Sequence, residues 1–273
     1  MVSYVDYKKV PLKYTGQFRI FDEAAFAGMR KVCELAARSL DELIHIVKPG
    51  ITTNEIDHFV FSFGADHGAL PADLNYRGYM HSCCTSKNHV VCHGIPDDRP
   101  LREGDIVNID VTYILDGWHG DSSRMYPVGI IKRAAERLME VTHESLMKGI
   151  AVVKPGVHTG AIGAAIQLYA EAERCSVVRD FCGHGIGQIF HDAPNILHYG
   201  KSNDGIELRK GMIFTIEPMI NLGKAEVKTL KNDWTAVTCD HSLSAQYEHT
   251  VGVTETGCEI FTLSPKNIFF YQI

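Results

Sequence analysis

With 273 residues, 45% hydrophobic and 22% charged, the chain has an ordinary globular composition, long for one simple core and suited to one large domain or two fused halves. Its formal net charge of -6 comes with dispersed acids, which argues against a nucleic-acid groove, and no run approaches the length of a membrane span. The stretch from Met1 to Lys9 lacks the apolar core of a signal peptide, and the eight cysteines form no Cys-x-x-Cys pair, so they read as reduced thiols of a cytoplasmic protein.

Residues 1–20 carry little periodic signal and read as an irregular N-terminal extension. From Asp22 to about Val47 the apolar residues fall near helical spacing, and Lys48-Pro49-Gly50 stops the pattern. Thr52-x-x-Glu55 is a capping box that opens a second helix, ending between Gly64 and Gly68. A loop of Pro, Asn and Tyr leads to a β-like tract from about Ser82 to Val91.

The stretch Asp105 to Asp121 then reads as a hairpin. Val107, Ile109, Val111, Tyr113 and Leu115 alternate with Asn108, Asp110 and Thr112, the period of a half-buried strand. Asp116-Gly117 is a preferred two-residue turn because both central residues need positive φ. Folding back there sets Leu115 opposite Trp118 and Thr112 opposite Asp121, with Asp110 diagonal to Asp121 at roughly 7–8 Å, close enough for a shared metal pair. Two acids so placed amid apolar residues need a cation or a proton; the plainer reading is a solvated polar face.

The same order then returns. Residues 132–153 read as a helix, and Val153-Lys-Pro-Gly156 repeats Val47-Lys-Pro-Gly50 at a spacing of 106. A helix over 161–173 follows, and Leu208-Arg-Lys-Gly211 repeats Leu101-Arg-Glu-Gly104 at a spacing of 107, a register that sets Glu217 over Asp110. Cys92-His93-Gly94 and Gly183-His184-Gly185 correspond at a spacing of 91. These echoes predict an α+β fold of two pseudo-two-fold-related helix–helix–strand halves, about 21–130 and 131–262, around a central antiparallel sheet in a single domain over 21–273. His184, between glycines that let the backbone crowd a ligand, and Glu248, in an alternating tract, complete a set of four carboxylates and one imidazole. Singly each is more often structural; together they suit two divalent cations such as Co, Mn, Fe(II) or Zn.

The motifs NIDVT, DGWHGDSS, GHGIGQIFHDAPNILHYG, IEPM and QYEHT resemble the type I methionine aminopeptidases, members of the pita-bread metallopeptidases that also include aminopeptidase P and prolidase. The likeness runs from about Phe21 to Thr262. No long insertion separates His184 from Glu217, and the N-terminus lacks the Cys-rich zinc-finger extension of the eukaryotic cytosolic enzymes, so the bacterial or organellar form is the expected match. The resemblance implies that Asp121 and Glu248 bridge two metals, that Asp110 chelates one and that His184 and Glu217 hold the other. It further implies a hydroxide nucleophile, since two metals about 3.5–4 Å apart lower the pKa of a bridging water toward about 7. Glu217 then carries a proton to the leaving amine, and His93 and His191 face the scissile amide. Tyr76, Tyr79, Cys84, Phe190 and Trp234 match the family's pocket for the first side chain.

The sequence departs from the usual pattern at Met80-His81, where many relatives have Pro-Lys, and in the variable tract Leu70 to Asn75; both bear on the pocket rim. Cys92 and His93 as a thiol and its base form a weak rival, because neighbours on an extended strand face opposite ways. The implied activity is removal of the initiator methionine from nascent chains whose second residue is small, with ribosome contact following from that role and a monomer as the default. The alternatives are an X-Pro-cleaving sibling and a non-catalytic pita-bread binding protein.

Overall fold

The structure, a computed structural model, describes residues 2–268. Met1 of the expected extension and residues 269–273 of the expected domain lie outside the described residues.

The extension is not irregular throughout. Strands β1 (Tyr4–Asp6) and β2 (Phe18–Ile20) pair in parallel, with a 3-10 turn at Tyr7–Lys9 capped by Asp6. Three-residue strands are too short to show a period, so only the fold reveals them.

Helix α1 (Glu23–Leu43) begins where Asp22 accepts the Ala25 N–H, and α2 (Thr53–Asp66) begins at Thr52 with both bonds of the capping box formed. The first helix stops short of Val47 because Ile44 to Val47 close in tight turns onto the carbonyls of Asp41, Glu42 and Leu43. After the short strand β3 (Leu70–Pro71), the expected tract over 82–91 divides into β4 (Cys84–Lys87) and β5 (Val90–Cys92), turning at Asn88, whose φ is 56°.

The hairpin forms as its sequence requires. Strands β6 (Ile106–Leu115) and β7 (Trp118–Pro127) meet at Asp116 and Gly117, with φ of 52° and 81°. Leu115 pairs with Trp118, Thr112 with Asp121 and Asp110 with Ser123, while β3 and β4 both pair with β6. The plainer alternative fails here: the polar face is not solvated. Asn108 and Thr112 are 2% and 1% exposed, because the second half of the chain covers the face that α1 leaves free.

That second half opens with α3 (Arg133–Ala151) and α4 (Thr159–Ala172). Ten short strands follow: β8 (Ser176–Val177), β9 (Gly183–Gly185), β10 (Asp192–Ile196), β11 (Ile213–Ile216), β12 (Met219–Asn221), β13 (Val227–Thr229), β14 (Ala236–Thr238), β15 (Ser244–Gln246), β16 (His249–Val253) and β17 (Cys258–Ile260). They order as β10-β9-β11-β16-β17, as β15-β12-β8, and as β13-β14-β5, the last joining the two halves.

Backbone hydrogen bonds repeat with the sequence. Gly50 N–H donates to Leu101 O at 2.8 Å and Gly156 N–H to Leu208 O at 2.9 Å; Leu101 N–H to Ile51 O and Leu208 N–H to Val157 O are both 2.7 Å. Each half carries its own apolar core. Met29, Leu40, Ile56, Val107 and Tyr113 belong to the first, and Leu138, Leu146, Ile162, Phe214 and Ile216 to the second. Between the cores lies a polar interior. There the hairpin grips the second half: Asn108 donates to Gln246 O at 2.8 Å, Ser122 to Glu248 O at 2.8 Å, and Thr250 donates back to Asp121 O at 2.7 Å. Among the described residues no helix is long and apolar enough to cross a membrane.

Candidate metal centre

A cavity of about 630 Å³ opens on that polar interior, and all twelve residues expected at the site line it. Asp110 comes from β6, Asp121 from β7 and His184 from β9; Glu217 follows β11 and Glu248 lies between β15 and β16. Donor atoms of Asp121, His184 and Glu248 all lie within 4.8 Å of one another. Glu217 joins them, its Oε1 standing 3.7 Å from His184 Nε2, with Asp121 Oδ2 at 3.5 Å from the same nitrogen.

Local bonds aim these groups. His184 Nδ1 donates to Gly185 O at 3.1 Å, which directs Nε2 at the acids and leaves it the nitrogen that would ligate a cation. The Thr215 hydroxyl accepts the His184 backbone N–H at 2.9 Å and donates to Glu217 Oε1 at 2.8 Å. Thr112 donates to Asp121 Oδ1 at 2.7 Å, and Gln246 Nε2 donates to Glu217 Oε2 at 3.3 Å. The glycines around His184 serve neighbouring strands rather than a ligand. A Cβ on Gly183 would lie 2.3 Å from Thr215 O, and one on Gly185 2.1 Å from Ala193 O.

The electrostatics follow from crowding. Burial, then the charges of Asp121, Asp73 and Glu217, holds the Asp110 carboxyl well above the usual range. Glu248 is raised for the same reasons, burial first and then Asp121, Glu217 and Asp110. Burial pushes Glu217 up to about 7, with Asp121 adding to the rise while His184 and the Thr215 hydroxyl oppose it. For His184, burial disfavours the charged form, but the bond to Asp121 and the charges of Glu217 and Asp121 outweigh it and raise the imidazole. Carboxylates this enclosed need compensating positive charge, and a set of oxygens with one nitrogen suits a divalent cation. The residues present fit such ions.

Aromatic rings form part of the remaining wall. Tyr79 packs on Trp234 at 5.0 Å between ring centroids and Tyr76 on Phe190 at 5.1 Å; Cys84 pairs with Asp110 across the β4–β6 ladder. Tyr79 is fixed by its hydroxyl, which donates to Cys83 O at 2.9 Å. His191 lies 4.3 Å from the His184 ring and 5.1 Å from that of Tyr76, and burial with the charge of His184 pushes it down to about 2, so it is neutral. His93 packs edge-on against Phe181 and Trp234, and burial lowers it too.

Cys92 and His93 do not face opposite ways. His93 has φ of 53°, which ends the strand, and both residues line the cavity. What excludes the thiol as a nucleophile is its environment: burial, then Glu217 and Asp110, pushes Cys92 well above the range in which a thiolate forms. All eight cysteines are free.

Sequence reasoning missed several contributors. Asp73, from the tract read only as variable, lines the cavity within the field of Asp110 and Glu248. Nothing in a loop sequence points to it. Thr215 and Gln246 each sit two residues from a candidate ligand, the spacing that keeps side chains on one face of a strand, and that signal could have found them. Met80, whose difference from relatives suggested an altered rim, is 68% exposed and does not line the cavity.

A duplicated α+β fold that gathers buried acids and one imidazole beside an aromatic cavity defines a metal-dependent hydrolase. Residues 27–255 match metallopeptidase family M24. The chain is 56% identical over 251 residues to a methionine aminopeptidase of Rickettsia prowazekii (strain Madrid E), covering 92% of this chain and 97% of the relative. With a methionine aminopeptidase of Escherichia coli (strain K12) it shares 52% over 237 residues, 86% of this chain and 90% of the relative. The crystal structure of the methionine aminopeptidase from Rickettsia prowazekii superposes with a TM-score of 0.90 at 55% identity, over 90% of this chain and 100% of that one. A prolidase from Pyrococcus horikoshii OT3, at 21% identity and a TM-score of 0.71 over 89% of this chain and 63% of its own, shares the pita-bread fold alone. The chain belongs to metallopeptidase family M24, among its type I methionine aminopeptidases.

Proposed function

We propose that this protein hydrolyses the peptide bond after an N-terminal methionine when the second residue is small, acting on nascent polypeptides in the cytoplasm as a monomer near the ribosome. The observation that carries the chemistry is the cluster of Asp121, His184 and Glu248, with donor atoms within 4.8 Å, in the wall of an aromatic cavity. Two divalent cations, from among Co, Mn, Fe(II) and Zn, would be held by Asp110, Asp121, His184, Glu217 and Glu248. When bound they supply Lewis acidity, lowering the pKa of water toward about 7 and polarising the scissile carbonyl.

The remaining steps belong to the chain itself. Tyr76, Tyr79, Cys84, Phe190 and Trp234 wrap the unbranched thioether side chain in apolar surface and exclude water from it. Glu217 takes a proton from the attacking water and returns it to the departing amine. His93 and His191, both neutral, hydrogen-bond the scissile amide and steady the oxygen of the tetrahedral carbon. An X-Pro activity has only a fold likeness at 21% identity behind it, and a non-catalytic binding role leaves five ionisable groups gathered on one cavity wall unexplained.

Cation-loaded protein is expected to release methionine from Met-Ala-Ser and Met-Gly peptides while sparing Met-Lys and X-Pro peptides. A Glu217→Ala variant should lose about 10²-fold or more in kcat with its circular dichroism unchanged. Equal turnover by the variant, or a preference for X-Pro bonds, would refute the assignment.

A further inference from the structure

His191 and Phe190 sit on the turn that leads into β10, and that turn is held from an unexpected direction. Arg19, on β2 of the N-terminal segment, donates through Nε to Asp192 Oδ2 at 2.5 Å. Its Nη2 donates to Pro11 O at 3.0 Å and Lys13 O at 2.9 Å, so one guanidinium gathers the arm 11–19 and fastens it to the residue after His191. Arg19 and Asp192 are 6% and 4% exposed. The other oxygen of Asp192 accepts the Ala193 N–H at 2.9 Å, and Asp192 is paired across the ladder with Gly185, the neighbour of His184. Just beyond Arg19, Phe21 N–H donates to Gly211 O at 2.8 Å, anchoring the arm at the entry to β11.

A buried ion pair is a poor source of net stability compared with an apolar contact of the same size, so its use here calls for a task that an apolar contact performs badly. A fork that meets three acceptors fixes direction, which apolar packing does not. We propose that Arg19 is a positioning residue: through Asp192 it sets the placement of the His191 imidazole over the reacting bond, making the N-terminal arm a working part of the catalytic wall. This rests on the role given to His191 above.

The test uses the full chain, loaded with Co(II), in three forms: wild type, Arg19→Lys, and the double variant Arg19→Met/Asp192→Asn, which leaves neither charge unpaired. In the double variant kcat for Met-Ala-Ser is expected to fall about 10- to 100-fold, the scale of a misplaced group, while KM and the Co(II) dissociation constant stay within about threefold. The ring signal of His191, followed by NMR on ¹³C-histidine protein, should shift. Arg19→Lys, which keeps the ion pair but cannot hold both carbonyls, should recover most of kcat; it also carries the test if the double variant does not fold, by a fall of about two- to fivefold. Unchanged kcat per folded molecule with an unmoved His191 signal overturns the proposal and leaves the peptidase reading intact. A wild type that releases no methionine overturns that reading instead, and the His191 signal in the variants then decides the positioning claim by itself.

Discussion

Glu217, held at about 7 by burial and by Asp121, keeps a proton near neutrality that an unfolded glutamate, at about 4.5, has already lost. Asp110 and Glu248 are raised in the same direction. For a group whose folded pKa is raised, the folded state binds the extra proton, so stability is fully present below the unfolded value and is lost as pH rises through the folded one. The cation-free protein should therefore lose thermal stability as pH climbs from about 4.5 to about 7. Bound cations reverse this by favouring the ionised carboxylates, so their affinity should rise over the same window, with protons released. Melting curves with and without Mn(II) across that range check the sign. A cation-free melting temperature that is flat or rising would contradict it.

At the scale of elements, α1 is what holds the hairpin in place. Leu40, 1% exposed, packs in the first core, and its carbonyl accepts the Tyr126 hydroxyl of β7 at 2.6 Å. Leu40→Ala should cost about 2–5 kcal/mol in urea denaturation, the usual range for a buried cavity, with kcat per folded molecule preserved. A large loss of kcat at full folding would mean that the helix acts on the site directly. Elements such as this were legible because each has a local cause. The Thr52-x-x-Glu55 box starts α2, and Asp116-Gly117 closes the hairpin at the pairing its alternation required. Positions set by distant partners were not legible. β1 and β2 are too short to show a period, and Asp73 reaches the cavity from a loop whose course depends on β3 pairing with β6.

The whole molecule explains why the acids could be read from sequence before their geometry was known. The repeat at a spacing of 106 to 107 survives as matching backbone bonds at Gly50 and Gly156, and it points to Asp110 and Glu217 meeting between the halves. What the repeat could not supply is the side-chain support. Thr112 and Thr215 stand 103 residues apart, off the register of the repeat, and each of Thr112, Thr215 and Gln246 is fitted to one acid. Asp110 and Asp121 come from one half and His184, Glu217 and Glu248 from the other, so only the joined chain assembles the centre.

The most direct measurement is methionine release from Met-Ala-Ser by chelator-treated protein titrated with Co(II) or Mn(II), beside Asp121→Asn. The account predicts no release without cations, recovery that saturates as they bind, and a folded variant at least about 10²-fold slower at any cation level. Release by the chelated protein at the full rate, or an Asp121→Asn variant as fast as wild type, would contradict it.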